Sequence, residues 1–220
     1  MAKIHERNVE IPIDAPGITL PGTLILPPNP KAIIIFAHGS GSSRLSPRNR
    51  MVARELARLG FATLLFDLLT EAEARDRANV FDIPFLAERV VSATRWTRGD
   101  HDVGRLAIGL FGASTGAAAA LVAAALSPSE VGAVVSRGGR PDLAREALGL
   151  VSAPTLLIVG SADYGVVELN EAAYAALTCQ AKLELVPRAT HLFEEPGALE
   201  AVVDLATGWF DATLTDDRGD

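Results

Sequence analysis

Residues Arg105 to Leu126 read RLAIGLFGASTGAAAALVAAAL, and the fold turns on how that run is parsed. Up to Phe111 it is short and apolar, as a strand covered on both faces would be. From Thr115 onward alanine dominates, which favours a buried helix. Between the two lies Gly112-Ala113-Ser114-Thr115-Gly116, small residues suited to a sharp turn. A competing parse takes Leu106 to Ser129, which holds no charged residue, as a membrane span with a G-x-x-x-G dimer motif at Gly112 and Gly116. The glycine and serine cluster at its middle argues against one continuous helix, so the strand, turn and helix reading is preferred.

The same alternation extends in both directions. Val9 to Ile13 and Ile18 to Leu26, separated by Pro16-Gly17, read as an antiparallel ribbon at the start of the sheet. Ala32 to Ala37 and Phe61 to Phe66 are apolar strands flanking a helix that enters through Pro47 and ends near Gly60. A charged loop, Thr70 to Asn79, leads to a helix from about Pro84 to Thr97. Downstream come strand Val131 to Ser136, a short helix Asp142 to Leu148, strand Thr155 to Val159, helix Val167 to Leu177, strand Lys182 to Val186 and helix Gly197 to Phe210. Repeated β–α units of this length imply an α/β fold: a mostly parallel sheet with right-handed crossovers and helices on both faces. A chain of 220 residues suits one such domain, 1–220, with antiparallel strands in 1–30 and a polar tail from Thr213 expected to fray. The connection from Ser136 to Ala153 is too short for a cap domain, so an open site is expected.

Chemistry concentrates at the ends of these strands. The run from Gly112 to Gly116 fits G-x-S-x-G where a strand gives way to a helix, a turn that projects the serine hydroxyl beyond the sheet. The letters alone would recur by chance in roughly one chain of this size in ten, so placement carries the weight. A serine hydroxyl is a poor nucleophile at neutral pH and needs a base, which in turn needs a group to fix its tautomer. His191 follows the last strand and Asp163 follows the strand Thr155 to Val159, so Ser114, Asp163 and His191 all fall at C-terminal strand ends, where parallel sheets place their sites. Asp142 competes for the carboxylate role, and His38 for that of the base. His38-Gly39-Ser40-Gly41 closes the strand Ala32 to Ala37, and the backbone amides of Ser40 and Thr115 are the candidate oxyanion donors.

His38-Gly39, the turn around Ser114, Gly160-Ser161-Ala162-Asp163 and Thr190-His191-Leu192-Phe193 together resemble a small α/β-hydrolase of the dienelactone-hydrolase-like group, over roughly Ala32 to Phe210. The resemblance implies an eight-stranded sheet, a triad of Ser114, Asp163 and His191, and no metal or organic cofactor. It departs at one point: dienelactone hydrolases proper carry a cysteine nucleophile where this chain has Ser114. Ester, thioester or lactone hydrolysis is therefore as far as the analogy reaches. A fold that has kept its shape and lost turnover, serving as a binding or regulatory protein, and an acyltransferase using the same three side chains, are the alternatives.

The remaining features narrow the partners. A net charge of -7 disfavours nucleic acid and anionic membrane surfaces and suits a small-molecule ester substrate. Cys179 is the lone cysteine and reads as packing. With no apolar leader in Met1 to Glu10, the cytoplasm is the default compartment. Gly39 to Arg44, with Asp67 after the next strand, imitates a dinucleotide fingerprint but places arginine where glycine or alanine is required. Arg44, Arg48, Arg137 and Arg140 gather near the same sheet edge and could orient an anionic substrate, with Arg44, Arg48 and Arg137 the candidate binding residues.

Overall fold

A computed structural model describes residues 3–15 and 17–215. Eight strands form one sheet: β1 (His5–Pro12), β2 (Thr19–Leu26), β3 (Ile33–Ala37), β4 (Ala62–Phe66), β5 (Ile108–Ala113), β6 (Val131–Arg137), β7 (Thr155–Gly160) and β8 (Ala181–Val186). Their spatial order is β1-β2-β4-β3-β5-β6-β7-β8. The β1–β2 ribbon is antiparallel, as expected, and pairs antiparallel with β4; every other pairing is parallel. Pro16 of the expected ribbon turn and residues 216–220 of the expected frayed tail lie outside the described residues.

Among the described residues the helices α1 (Pro47–Arg58), α2 (Arg77–Phe81), α3 (Ile83–Gly99), α4 (Thr115–Leu126) and α5 (Tyr164–Ala176) lie between strands, and α6 (Ala198–Leu214) follows β8. The strand period of two explains why both faces of the sheet are apolar. In β3, Ile33, Ile35 and Ala37 join one core with residues of α3 and α4, while Ile34 and Phe36 join a second with residues of α1 and α6. The alanine run of α4 is buried almost throughout, and its small side chains let it pack between the sheet and α3. The uncharged segment Leu106 to Ser129 is thus split between β5 and α4, and no helix among the described residues is long and apolar enough to cross a membrane.

Local chemistry moved several boundaries. The loop Thr70 to Asn79 contains a 3₁₀ turn, Glu73–Arg75, and the start of α2, because Glu73 accepts the Thr70 N–H and Asp76 accepts the Ala78 N–H. The short helix expected at Asp142 to Leu148 is instead a 3₁₀ segment, Pro141–Leu150, broken at Arg145, whose φ is 49°. Among the described residues it is the one element between β6 and β7. Helix α6 runs on to Leu214, past the expected end at Phe210.

Candidate active site

Ser114 follows β5, near the middle of the sheet, and has φ 52° and ψ -124°. That left-handed conformation is costly for a residue with a Cβ and is held by the packing on either side. Its carbonyl accepts N–H bonds from Ala117 and Arg140, and its own N–H donates to Arg137 O. Glycine is needed on both flanks. A Cβ at Gly112 would lie 2.8 Å from Ala117 N, and one at Gly116 would lie 2.7 Å from the Ala37 carbonyl carbon at the end of β3.

Asp163 ends the turn after β7 and is the N-cap residue of α5, yet its side chain caps no helical N–H. The carboxylate turns instead to His191, whose Nδ1 lies 2.7 Å from Asp163 Oδ2. Donation from Nδ1 leaves Nε2 with its lone pair, the state a general base needs. The loop that carries His191 is pinned at several points. Thr190 donates its N–H and hydroxyl to the Glu195 carboxylate at 3.1 and 2.6 Å, which holds the Glu195 carboxyl below its usual range. Phe193 is buried, with φ 55°, and Glu194 pairs with Arg48 at 3.1 Å.

Ser114 and His191 line one cleft of about 240 Å³, together with Ser40, Arg48, Asn49 and Arg137. No hydrogen bond joins the Ser114 hydroxyl to the ring among the described residues, and such contacts commonly tighten only around a bound substrate. Asp142, the competing acid, is held by Arg140 through two contacts of 2.8 Å. His38, the competing base, has both nitrogens engaged: Nδ1 donates to Gly39 O and Nε2 accepts the Leu68 N–H, each at 3.0 Å. Burial outweighs the opposing Gly39 carbonyl and Asp67 carboxylate and holds its pKa below 6.5, so the ring is a neutral clip between β3 and β4.

The oxyanion candidates are only partly as expected. The Ser40 N–H donates to Thr115 Oγ1 at 2.8 Å, so it is not free. Thr115 N–H, the first of α4, has no acceptor among the described residues, as helix geometry dictates for that position. The sequence shows two small loops meeting but not the rotamer that lets the threonine hydroxyl reach across.

The four arginines separate sharply. Arg140 is neutralised by Asp142, which raises its pKa. Arg44 pairs with Asp67, donating its backbone N–H at 2.6 Å and placing Nε 3.5 Å from the carboxylate; the acid of the apparent dinucleotide fingerprint is thus already engaged. Neither Arg44 nor Arg140 lines the Ser114 cleft; Arg44 lines the neighbouring cavity that shares Gly39, Ser40 and Ser42 with it. Arg137 lines the cleft and is buried, with Asn49 Oδ1 at 3.4 Å as its one side-chain acceptor among the described residues and the Phe193 ring 5.7 Å away. Burial, then the nearby Arg48 charge, lowers its pKa to about 10, so it is cationic at neutral pH. Asn49, Ser46 and Leu192 also line the cleft and were not expected there; Leu192, adjacent to His191, had the clearest signal.

A model of the dienelactone hydrolase family matches residues 20–207. The chain belongs to that family. It is 52% identical to a dienelactone hydrolase from Anabaena variabilis ATCC 29413, whose crystal structure superposes with a TM-score of 0.92 over 96% of this chain and 99% of that one. Est1E from Butyrivibrio proteoclasticus is similar in fold, with a TM-score of 0.78 at 18% identity over 92% of this chain and 97% of that one. A protein of Mycobacterium tuberculosis, under the provisional name of phosphoribosyl transferase, is 57% identical over 204 residues. That match covers 93% of this family member and 46% of the mycobacterial protein, so the chain spans less than half of its relative's length. The eight-stranded, mostly parallel sheet is the α/β-hydrolase fold, and the family supports hydrolase activity.

Proposed function

We propose that this chain is a serine hydrolase cleaving small carboxylic esters, thioesters or lactones through an acyl-enzyme. The observation that carries the reading is a strained serine on the β5–α4 turn, sharing one cleft with an imidazole whose Nδ1 is 2.7 Å from a carboxylate. In the first half-reaction the Ser114 oxygen attacks the acyl carbon while its proton passes to His191 Nε2. Charge collects on the carbonyl oxygen, where the Thr115 N–H is available and the Ser40 N–H can join by exchanging Thr115 Oγ1 for the oxyanion. The carbon to leaving-oxygen bond then breaks as His191 returns the proton to it. In the second half, water adds to the acyl carbon as its proton passes to His191; the bond from that carbon to Ser114 Oγ then breaks as His191 returns the proton to Oγ, releasing the acid and restoring Ser114.

Arg137 lines the cleft with no acidic partner among the described residues, whereas Arg48 there is paired with Glu194, so Arg137 supplies the positive charge that favours a polar or anionic leaving group. The transferase name of the mycobacterial relative describes a protein more than twice as long, and nothing at Ser114 calls for that activity. The test is a panel of esters and thioesters with neutral and acidic leaving groups, run beside Ser114→Ala. Turnover that vanishes in the variant supports the reading. Tight ligand binding with no Ser114-dependent turnover across the panel would point instead to a binding protein.

A further inference from the structure

Behind the loop Gly39 to Ser43 lies a second cavity, of about 550 Å³, more than twice the volume of the cleft that holds Ser114. Gly39, Ser40 and Ser42 line both, so the larger cavity adjoins the cleft at this loop. The apolar lining of the larger cavity is Pro21 of β2, Leu68, Leu69, Ala74 and Val80 between β4 and α3, and Leu86 of α3, set beside the polar residues of the loop after β3 and of the segment after β4. Its volume falls within the roughly 300–1,000 Å³ of small-molecule sites.

We infer that this cavity is the acyl pocket, and that the enzyme takes esters of apolar carboxylic acids several carbons long. The inference rests on Ser114 being the nucleophile. Side and chemistry then follow from the reaction. The base that received the serine proton must deliver it to the leaving oxygen, so the leaving group lies on the His191 side, and the acyl substituent leaves the carbonyl carbon away from it. His191, Leu192, Arg48 and Arg137 line the catalytic cleft, and none of them lines the larger cavity. The one guanidinium in that cavity's wall, Arg44, is paired with Asp67, and Glu71 adds a further carboxylate. A substituent that enters therefore meets apolar walls and no uncompensated cation. A carboxylate at its far end is disfavoured.

The experiment is a series of p-nitrophenyl esters from acetate to octanoate, which varies the acyl chain at constant leaving group. With each buried methylene worth about 0.8 kcal/mol, kcat/KM should rise about fourfold per carbon until the pocket is full. Ala74→Trp and Val80→Phe, at exposed and half-buried wall positions, are two independent ways of filling it. Either variant is expected to lower the octanoate-to-acetate ratio of kcat/KM at least tenfold. A flat wild-type series, or a ratio that neither variant changes, overturns the acyl pocket while Ser114-dependent turnover leaves the hydrolase reading intact. No Ser114-dependent turnover on any ester overturns both.

Discussion

Replacing Gly116 by alanine tests how tightly the turn that carries Ser114, the proposed nucleophile, is fixed. The added Cβ would press on the backbone at the end of β3, lying 2.7 Å from the Ala37 carbonyl carbon and nearer still to the Ala37 and His38 oxygens. Moving that carbon out to the 3.4 Å at which ordinary contact begins requires a shift of at least 0.7 Å. Neither side yields easily: Ala37 is in a central strand paired on both sides, and Gly116 is in the first turn of a buried helix. Displacement therefore falls on the geometry between Ser114 and the His38 to Ser40 loop. Misplacing reacting groups by about 1 Å can cost about 10² in rate, and overpacking a well-packed site costs about 1–3 kcal/mol. The expected outcome is a kcat lowered by about 10², with urea denaturation showing a smaller, measurable loss of stability. Gly165→Ala is the control, since nothing lies within 4 Å of its Cβ position. If Gly116→Ala retains activity within threefold of wild type, rigid placement of the turn is not what sets the rate.

Asp163→Asn replaces the carboxylate 2.7 Å from His191 with a group that stabilises the wrong tautomer; kcat should fall about 10³–10⁴, with little change in the melting temperature because the side chain caps no helix. Arg137→Met removes a buried cation that has no acidic partner among the described residues, so denaturation should show equal or greater stability, while kcat/KM for esters with an anionic leaving group falls relative to neutral ones. Lower stability with both substrates equally impaired would show Arg137 to be structural. For His38 the folded pKa lies below 6.5, so below that pH the unfolded chain binds the extra proton; stability is highest above it, falls as pH drops, and levels off below the folded value. The slope can reach about 1.4 kcal/mol per pH unit, and urea denaturation of His38→Gln between pH 7.5 and 5 should be flatter than that of wild type.

Much of the architecture was legible because the strand and helix periods differ and the inner parallel strands are apolar on both faces. Ala32 to Ala37 and Phe61 to Phe66 could be read within a residue or so of β3 and β4. Asp163 and His191 could be chosen from position alone, since each follows a parallel strand at the edge that carries Ser114, and the structure joins them. What escaped was decided by side chains meeting across the fold. Nothing in the order of residues shows that Arg44 would meet Asp67, or that the Ser40 N–H would find Thr115 Oγ1. Arg137 did leave a signal, as the last residue of a strand buried on both faces with no acid beside it, but its burial depends on α1 and the Phe193 loop closing over it. The break at Arg145 has a left-handed φ that no glycine announced.

The most direct measurement is covalent trapping with a small alkyl fluorophosphonate, read by intact mass and by peptide mapping. One adduct per chain is expected, on Ser114, and both Ser114→Ala and His191→Ala should abolish it or slow it at least a hundredfold. Labelling that persists in Ser114→Ala, or a wild-type chain that takes up no phosphonate, would contradict the assignment of Ser114, His191 and Asp163 as one catalytic unit.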